Sequence, residues 1–320
     1  FHLAVGTFME GAGNKLQVVS LGASGEDDHE QLELTVTAEA EVLYPCTKVM
    51  TQPEYGDSCL LATTSDMLRI WEHKQGPEGG LQLRAELCSA KSDMMAPLTS
   101  FDWSDAKPSL LVTCSVDTTC TVWDVVTKQA KTQLIAHDRE VFDVSFVAGS
   151  QDIFASVGAD GSVRMFDLRS LEHSSIIYES PGSDHRAPAP LLRLACNRKS
   201  THYLATFHMD AQTIQVLDAR MPGTPFAELQ AHTGPVNSIA WSPESESNLI
   251  SCGDDGQILL WDIKDSAGSM QPGISSSGNS TVSVKGAHTV AAEANVATWS
   301  RTLPSWIGVT SGQTLYALRI

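Results

Sequence analysis

The sequence is poor in basic residues and has no long apolar run. It contains 21 Lys and Arg against 38 Asp and Glu in 320 residues, which gives a net charge of −17. Proteins that bind nucleic-acid backbones need clustered Lys and Arg, so this balance argues against direct binding to nucleic acid. No apolar run approaches the roughly 20 residues that cross a bilayer, so no membrane span is predicted.

Cofactor and metal motifs are also missing. The seven Cys residues include no CxxC pair, which argues against a zinc or dithiol site. The glycines of Gly6–Lys15 are not followed by the Lys-Ser or Lys-Thr of a phosphate-binding loop. No amphipathic pattern predicts a helix of three turns or more. We therefore predict no cofactor and no metal, and the scattered cysteines indicate a reducing compartment.

Two stretches of the chain repeat one pattern, Ala136–Arg169 and Ala231–Lys264. Each begins with a turn that contains His, continues through two apolar strands, turns at Asp-Gly, and ends in a third strand closed by an aromatic residue and Asp. Alternation of period two on both sides of an Asp-Gly turn predicts a β-hairpin, because Asp and Gly tolerate a positive φ.

The end of the third strand recurs seven times, at intervals of 43 to 57 residues. The residues at this position are Val19, Trp71, Trp123, Phe166, Leu217, Trp261 and Leu318. The shortest intervals match the roughly 40–45 residues of a WD repeat. The sequence thus predicts an all-β fold, a seven-bladed WD40 β-propeller that forms a single domain over residues 1–320, with four antiparallel strands in a complete blade.

The two ends of the repeat series depart from this plan. Phe1 begins at the second strand of the first blade, and Ile320 follows directly on the third strand of the last blade. Both blades are therefore predicted to be incomplete, and we expect a further strand to precede Phe1 and close the open edge. Residues 265–286 are rich in Ser and Gly, and we predict an insertion loop there, in the sixth blade.

Residue types of a hydrolase triad occur in the fourth repeat and again in the sixth, as His137, Ser156 and Asp160 and as His232, Ser251 and Asp255. An enzyme needs one nucleophile, so repetition at the spacing of the blades favours a structural role. In WD repeats the turn Asp bonds the His, the His bonds a Ser or Thr of the second strand, and that hydroxyl bonds the indole of the Trp. We predict no catalytic residue.

This structural network is predicted to be complete in the sixth blade alone, where Trp261 supplies the indole. Phe166 takes that position in the fourth blade and has no N–H to donate. The third blade keeps Ser115, Asp117 and Trp123 but has no matching His. We therefore expect stability to differ from blade to blade.

A sharper functional signal follows the third strand of the fourth blade and the third strand of the fifth blade. Asp167 and Arg169, and likewise Asp218 and Arg220, are two residues apart, whereas the sixth blade has Lys264 at the position of the Arg. In substrate receptors of cullin-RING ligases a Trp-Asp-x-Arg pattern on adjacent repeats contacts the propeller adaptor of the ligase. A planar guanidinium suits such bidentate contacts. The alternative is that each Arg pairs with a neighbouring acid on the rim.

Four segments carry a family resemblance: Ala96–Trp103, Asp117–Trp123, Lys131–Asp138 and Phe154–Glu179. They resemble the WD-repeat family of plant TRANSPARENT TESTA GLABRA-like and light-regulated proteins and their animal counterpart, a cullin-RING-ligase-associated factor that scaffolds dual-specificity kinases. The resemblance runs from Phe1 to Ile320. It implies a non-catalytic adaptor of nucleus and cytoplasm whose partners are such kinases, MYB and bHLH transcription factors, or the adaptor of a cullin-RING ligase.

Three functions follow for comparison. The first is a scaffold that assembles regulatory proteins on a rigid repeat fold. The second is a substrate receptor of a cullin-RING ligase, which would use Arg169 and Arg220. The third is an enzyme, which would need paired carboxylates or a metal in the channel of the propeller, and the sequence does not display that pattern.

Overall fold

The computed structural model describes residues 2–11, 13–24, 31–53, 59–74, 79–88, 96–182, 187–263 and 282–320. Every regular element within these residues is a β-strand. The described part of the chain has no helix with the length and apolar character needed to cross a membrane. The chain divides into two compact units, Phe1–Ile135 and Ala136–Ile320. That residues 1–320 form a single domain stays a prediction.

The first unit contains three antiparallel sheets, which we number as blades one to three, and in each of them neighbouring strands follow one another along the chain. The strands of blade one are β1 (His2–Gly6), β2 (Asn14–Ser24) and β3 (Gln31–Val42); those of blade two are β4 (Lys48–Thr51), β5 (Cys59–Thr64), β6 (Leu68–Lys74) and β7 (Gly80–Leu87); those of blade three are β8 (Leu98–Trp103), β9 (Leu110–Ser115), β10 (Thr119–Asp124) and β11 (Gln129–Ile135).

The second unit contains four antiparallel sheets of the same kind, blades four to seven. The strands of blade four are β12 (Val141–Phe146), β13 (Ile153–Gly158), β14 (Ser162–Asp167) and β15 (Ser170–Glu179); those of blade five are β16 (Leu191–Cys196), β17 (Tyr203–His208), β18 (Thr213–Asp218) and β19 (Ala227–Gln230); those of blade six are β20 (Val236–Trp241), β21 (Asn248–Gly253), β22 (Gln257–Asp262) and β23 (Val284–Thr289); those of blade seven are β24 (Ala294–Trp299), β25 (Trp306–Ser311) and β26 (Thr314–Arg319).

The predicted fold class is confirmed: the chain is all-β, with the seven blades of a WD40 β-propeller. Blades one and seven hold three strands among the described residues, whereas the other five hold four, as the repeat count predicts. The predicted loop over 265–286 is wrong at its end, because β23 begins at Val284. Residues 264–281, which include the rest of that loop and Lys264, lie outside the described residues.

Each strand forms where apolar side chains alternate or run together between turn residues. β9 is buried along its whole length, as befits an inner strand of its sheet. Its hairpin with β10 places Cys114 and Cys120 in direct register, as their positions on either side of the turn suggest. The turn itself is held by Asp117, whose carboxylate accepts hydrogen bonds from the backbone N–H and the hydroxyl of Thr119.

The core lies between neighbouring blades of each unit. In the first unit Phe101 and Trp103 of blade three are fully buried against blade two. In the second unit Phe207 of blade five packs in one cluster with Trp241 and Trp261 of blade six. Full burial of one large apolar side chain contributes about 1.5–3 kcal/mol, so these contacts dominate the packing of adjacent sheets.

Indole N–H groups also bridge adjacent blades of the second unit. Trp241 donates to the carbonyl of Ala195 at 3.0 Å, which ties blade six to blade five. Trp299 donates to the carbonyl of Ala240 at 3.0 Å, which ties blade seven to blade six. Each indole thereby satisfies its donor while its ring packs between the sheets, buried for Trp241 and partly buried for Trp299.

Candidate protein-interaction site

The two Asp-x-Arg motifs form turns at the ends of the third strands of blades four and five. Strand β14 ends at Asp167 and strand β18 ends at Asp218. In each turn the Asp side chain accepts the backbone N–H of the Arg two residues later, at 2.9 Å. This local bond is the ordinary way in which Asp closes a turn, and it fixes the direction in which the chain leaves the strand.

The same two residues then form a bidentate ion pair, with identical geometry in both blades. The Nε of Arg169 lies 2.9 Å from Oδ1 of Asp167, and its Nη2 lies 2.6 Å from Oδ2. Arg220 meets Asp218 at the same two distances. The alternative hypothesis was that each Arg pairs with a neighbouring acid, and that acid is the Asp of the motif itself. Fork-to-fork pairing of this kind is directional, so it holds each guanidinium in one orientation.

Pairing does not cover the guanidinium groups. The side chain of Arg169 is 69% exposed and that of Arg220 is 56% exposed, while Asp218 is 6% exposed. Hydrogen bonds from Arg169 lower the pKa of Asp167 to about 2, and those from Arg220 likewise hold the pKa of Asp218 below its ordinary value. Both pairs are therefore fully ionised at neutral pH, and each presents an oriented cation to solvent.

Arg220 has further neighbours that hold its turn in place. Its guanidinium carbon lies 6.0 Å from the centre of the Tyr203 ring, within the range of a cation–π contact. Beyond it, the N–H of Gly223 donates to the carbonyl of Ile177 on β15, so the turn rests on the outer strand of blade four. Met221, between these anchors, is 68% exposed. The Asp-x-Arg turns thus belong to two sheets that are packed together.

The predicted WD network is present in blade six. The indole N–H of Trp261 donates to the Ser251 hydroxyl at 2.8 Å, and that oxygen lies 2.7 Å from Nε2 of His232. Nδ1 of His232 in turn lies 2.9 Å from the carboxylate of Asp255. Since a carboxylate only accepts, the His donates from Nδ1 and accepts the Ser proton at Nε2. Every link of the chain then has a donor and an acceptor.

Electrostatics in blade six follow from burial. Loss of solvent lowers the pKa of His232, and the nearby Asp255 only partly offsets this. Burial also acts to raise the pKa of Asp255, but hydrogen bonds from the backbone N–H groups of Thr233 and Gln257 and from His232 outweigh it, so the pKa is lowered. The native pair is therefore a neutral imidazole donating to a carboxylate.

Blade four contains the same series of hydrogen bonds but lacks the indole. His137 lies 2.7 Å from the Ser156 hydroxyl and 2.9 Å from Asp160. At the position of the Trp, Phe166 stacks on Phe154 with ring centres 5.1 Å apart. Ser156 and Ser251 are both 0% exposed, so neither hydroxyl can reach a substrate carbonyl. The residue types of a hydrolase triad are here part of the interior.

Blade three differs from the sequence prediction. Trp123 donates its indole N–H to Thr113 at 2.9 Å, so the expected partner, Ser115, is wrong. Ser115 instead donates to the carbonyl of Pro97 and accepts the N–H of Asp117. The signal was in the sequence: Thr113 is ten residues before Trp123, as Ser251 is before Trp261, whereas Ser115 is only eight.

Two arginines that the sequence analysis missed bind the turn carboxylates. In blade four Arg164 donates to Asp160 at 3.0 Å and to Asp138 at 2.5 Å. In blade two Arg69 makes two bonds to Asp66, at 2.6 and 3.2 Å. Both arginines lie two residues before the aromatic position of the third strand, which is the signal that could have identified them.

Among the described residues, no three His, Cys, Asp or Glu side chains come together in a way that would hold a metal ion. What the geometry provides chemically is a pair of oriented, exposed guanidinium groups in the turns that follow β14 and β18. Such groups suit carboxylates and carbonyl oxygens of another protein.

Comparison with known proteins agrees with this architecture. The WD domain, G-beta repeat family matches residues 94–124, 128–167 and 223–262, which contain the first three strands of blades three, four and six. The chain is 42% identical over its whole length to the DDB1- and CUL4-associated factor 7 homolog of Dictyostelium discoideum, and it covers 92% of that protein.

Two fungal WD repeat-containing proteins are similar as well. One, from Schizosaccharomyces pombe, is 44% identical over 82% of the chain, and the other, from Saccharomyces cerevisiae, is 40% identical over 85%. The chain spans 64% and 58% of their respective lengths. With seven WD blades and a full-length relative at this identity, the chain belongs to the WD-repeat family that includes the DDB1- and CUL4-associated factor 7 homolog.

Proposed function

We propose that this chain is a non-catalytic scaffold that assembles regulatory protein complexes, and that it docks on the adaptor of a cullin-RING ligase through Arg169 and Arg220. The observation that carries the second part is the equal geometry of the two Asp-x-Arg pairs. Two guanidinium groups, each held by its own Asp through Nε and Nη2 and each more than half exposed, present the same outer edge on adjacent sheets. A partner with matching carboxylates or carbonyls would gain two preoriented contacts.

The relative from Dictyostelium supports the identity of the adaptor. Its name associates that protein with DDB1 and CUL4, and it matches this chain from end to end. We extend the association with DDB1 to this chain as part of the proposal. A scaffold role and a ligase role are compatible, since a repeat fold offers several faces at once.

The clients of the scaffold belong to the proposal too. The family resemblance favours dual-specificity kinases, and MYB or bHLH transcription factors, in nucleus and cytoplasm. The animal branch of that resemblance is supported by the full-length relative. The kinases, like the plant branch and its transcription factors, stay predictions. Proximity labelling of the chain in cells, read by mass spectrometry, would show which of these classes surrounds it.

Binding to purified DDB1 tests the ligase part. The double variant Arg169→Ala/Arg220→Ala should bind at least about tenfold more weakly, because each hydrogen bond from a charged group contributes about 1.5–3 kcal/mol. The variant Arg169→Lys/Arg220→Lys should also bind more weakly, because an ammonium group cannot form the same fork. Surface plasmon resonance gives both affinities.

Arg84→Ala is the matched control. Arg84 is also an exposed arginine paired with an acid, Glu72, but it lies on blade two. It should leave DDB1 binding unchanged. If the double Ala variant binds DDB1 like the wild type, the ligase part is wrong and the scaffold part stands. Turnover of ester or glycoside substrates by the purified chain, lost in a folded Ser156→Ala variant, would contradict the non-catalytic part.

A further inference from the structure

Four large apolar side chains are exposed at one end of blade one. Phe8 is 84% exposed, Met9 47%, Leu43 70% and Tyr44 49%. Single exposed apolar residues are common on protein surfaces, but a group of them at one place marks an interaction site. We call this group, defined by its four residues, the Phe8 surface.

Strand register brings the four residues to the same end of the sheet. Gly6 pairs with Leu16 across the first hairpin, so Phe8 and Met9 lie in the turn between β1 and β2. Asn14 pairs with Val42 across the second, so Leu43 and Tyr44 leave β3 beside that turn. The surface therefore combines the tip of one hairpin with the exit of the next strand.

The turn that carries Phe8 is held by a buried side chain. Asn14 is fully buried, and its Oδ1 accepts the N–H of Met9 at 2.8 Å. Its Nδ2 donates to the carbonyls of Met9 and Gly11, at 3.1 and 3.2 Å. The backbone is therefore fixed while Phe8 points to solvent. An aromatic side chain on a fixed backbone costs little ordering entropy when a partner covers it, which is typical of binding hot spots.

Charge selects the partner. Glu10 and Glu41 are exposed beside the four apolar residues. Lys15, the cation nearest to them on β2, forms an ion pair with Glu39 at 2.9 Å. The local surplus is negative, as it is for the chain as a whole, whose net charge is −17. Complementarity then favours a partner surface that carries Lys or Arg around an apolar centre.

We propose that the Phe8 surface binds an amphipathic helical segment of another protein. Apolar side chains at helical spacing form one face of that segment, and Lys or Arg side chains flank the face. Phe8 and Leu43 would enter the apolar face, and Glu10 and Glu41 would meet its cations. Amphipathic helices are recognised through their apolar face in this way. This site lies on blade one and uses neither Arg169 nor Arg220, so it does not depend on the ligase proposal.

A synthetic peptide probes the site directly. A fluorescein-labelled helix of roughly 18 residues, or five turns, built from Leu and Lys at amphipathic spacing, is titrated with the whole chain and followed by anisotropy. A second peptide has Glu in place of Lys. The Lys peptide should bind, more weakly as salt is raised, and the Glu peptide should bind at least about tenfold more weakly.

Variants of the chain then locate the contact. Phe8→Ser/Leu43→Ser should weaken binding of the Lys peptide at least about tenfold, as loss of hot-spot side chains does. Val126→Ser is the matched control, because Val126 is also highly exposed, at 78%, but lies on blade three. It should bind like the wild type, and so should Arg169→Ala/Arg220→Ala. If the double Ser variant is unstable, Tyr44→Ser replaces it.

Three results would overturn the proposal. The first is equal binding of the Lys and Glu peptides, which would show adhesion without charge selection. The second is equal loss in Val126→Ser and Phe8→Ser/Leu43→Ser, which would show binding that is not localised. The third is a wild-type dimer that Phe8→Ser/Leu43→Ser converts to a monomer in sedimentation velocity, which would assign the Phe8 surface to contacts between copies of this chain.

Discussion

Ser251 accepts the indole N–H of Trp261 at 2.8 Å, and its counterpart Ser156 has a phenyl ring, that of Phe166, in the place of the indole. The two serines are otherwise alike. Both are 0% exposed, and both lie 2.7 Å from Nε2 of a His that bonds a turn Asp. The chain thus contains its own comparison of a four-member network with a three-member one.

Substituting each serine by Ala should show how much the indole hydrogen bond contributes to the free energy of unfolding. Ser251→Ala leaves both the Trp261 donor and the His232 acceptor without a partner, whereas Ser156→Ala leaves only the His137 acceptor. Because an unsatisfied buried group costs about 1–3 kcal/mol, Ser251→Ala should lower the free energy of unfolding by about 1–2 kcal/mol more than Ser156→Ala does. Urea denaturation measures both, and equal losses would mean that the indole bond adds nothing.

The repeat pattern predicted the blades better than it predicted their polar contacts. Trp71, Trp123 and Trp261 each lie in a third strand, as predicted, because hydrophobic alternation and turn residues are local properties of the sequence. Trp123 and Trp261 are one residue from the strand end, whereas β6 continues for three residues beyond Trp71. The partner of Trp123 was missed because Thr113 and Ser115 point to the same face of β9. Alternation alone cannot choose between them, and the choice depends on the length of the hairpin.

The arginines show a second limit of the sequence. Arg164 is a charged residue in an otherwise apolar strand, and only the register of β14 against β13 shows that it sits opposite Ser156, within reach of Asp160. The start of β23 was missed for a different reason. Val284 and its neighbours follow a long Ser- and Gly-rich stretch, and the strand is defined by pairing with β22, a contact between residues distant in sequence.

Acid should destabilise blade six through His232. Its folded pKa lies below its ordinary value because burial disfavours the cation, so the unfolded chain binds the proton more readily. Stability is then fully present above the unfolded pKa of about 6.5 and falls as the pH drops toward the folded pKa, by up to about 1.4 kcal/mol per pH unit. Urea denaturation between pH 8 and pH 5 gives the slope.

His232→Gln should make that slope shallower without removing it, because burial also lowers the pKa of His208. His173→Gln, at an exposed position, controls for the substitution itself. Asp255 has a depressed pKa, so its contribution is lost only at more acidic pH, below about 3.9. A His232→Gln variant with the full wild-type slope would contradict the assignment.

Gly158 should not tolerate a side chain. A Cβ at this position would lie 2.7 Å from the carbonyl oxygen of Glu140 and 3.1 Å from the ring of His137. Gly158→Ala should therefore displace the turn that holds His137 and lower the free energy of unfolding by about 1–3 kcal/mol. Gly22→Ala is the control, since a Cβ there meets nothing within 4 Å. Thermal denaturation should show a lower unfolding temperature for Gly158→Ala. The free energy of unfolding of Gly22→Ala should stay within about 1 kcal/mol of the wild-type value.

Arg69 and Arg164 should differ in how much they stabilise the turn that each one binds. Arg69→Leu removes both guanidinium bonds to Asp66 and leaves that carboxylate with the hydroxyl of Ser65. Arg164→Leu leaves Asp160 with the His137 ring and the hydroxyl of Ser162.

A partly buried carboxylate that loses its cation is destabilising, so Arg69→Leu should lower the free energy of unfolding by about 1 kcal/mol more than Arg164→Leu. Both variants remove one cation, so the difference comes from the hydrogen-bond donors that each carboxylate keeps. Raised salt should not abolish it, because both arginine side chains are less than a fifth exposed. A larger loss in Arg164→Leu would instead mean that the His bond does not compensate for the guanidinium.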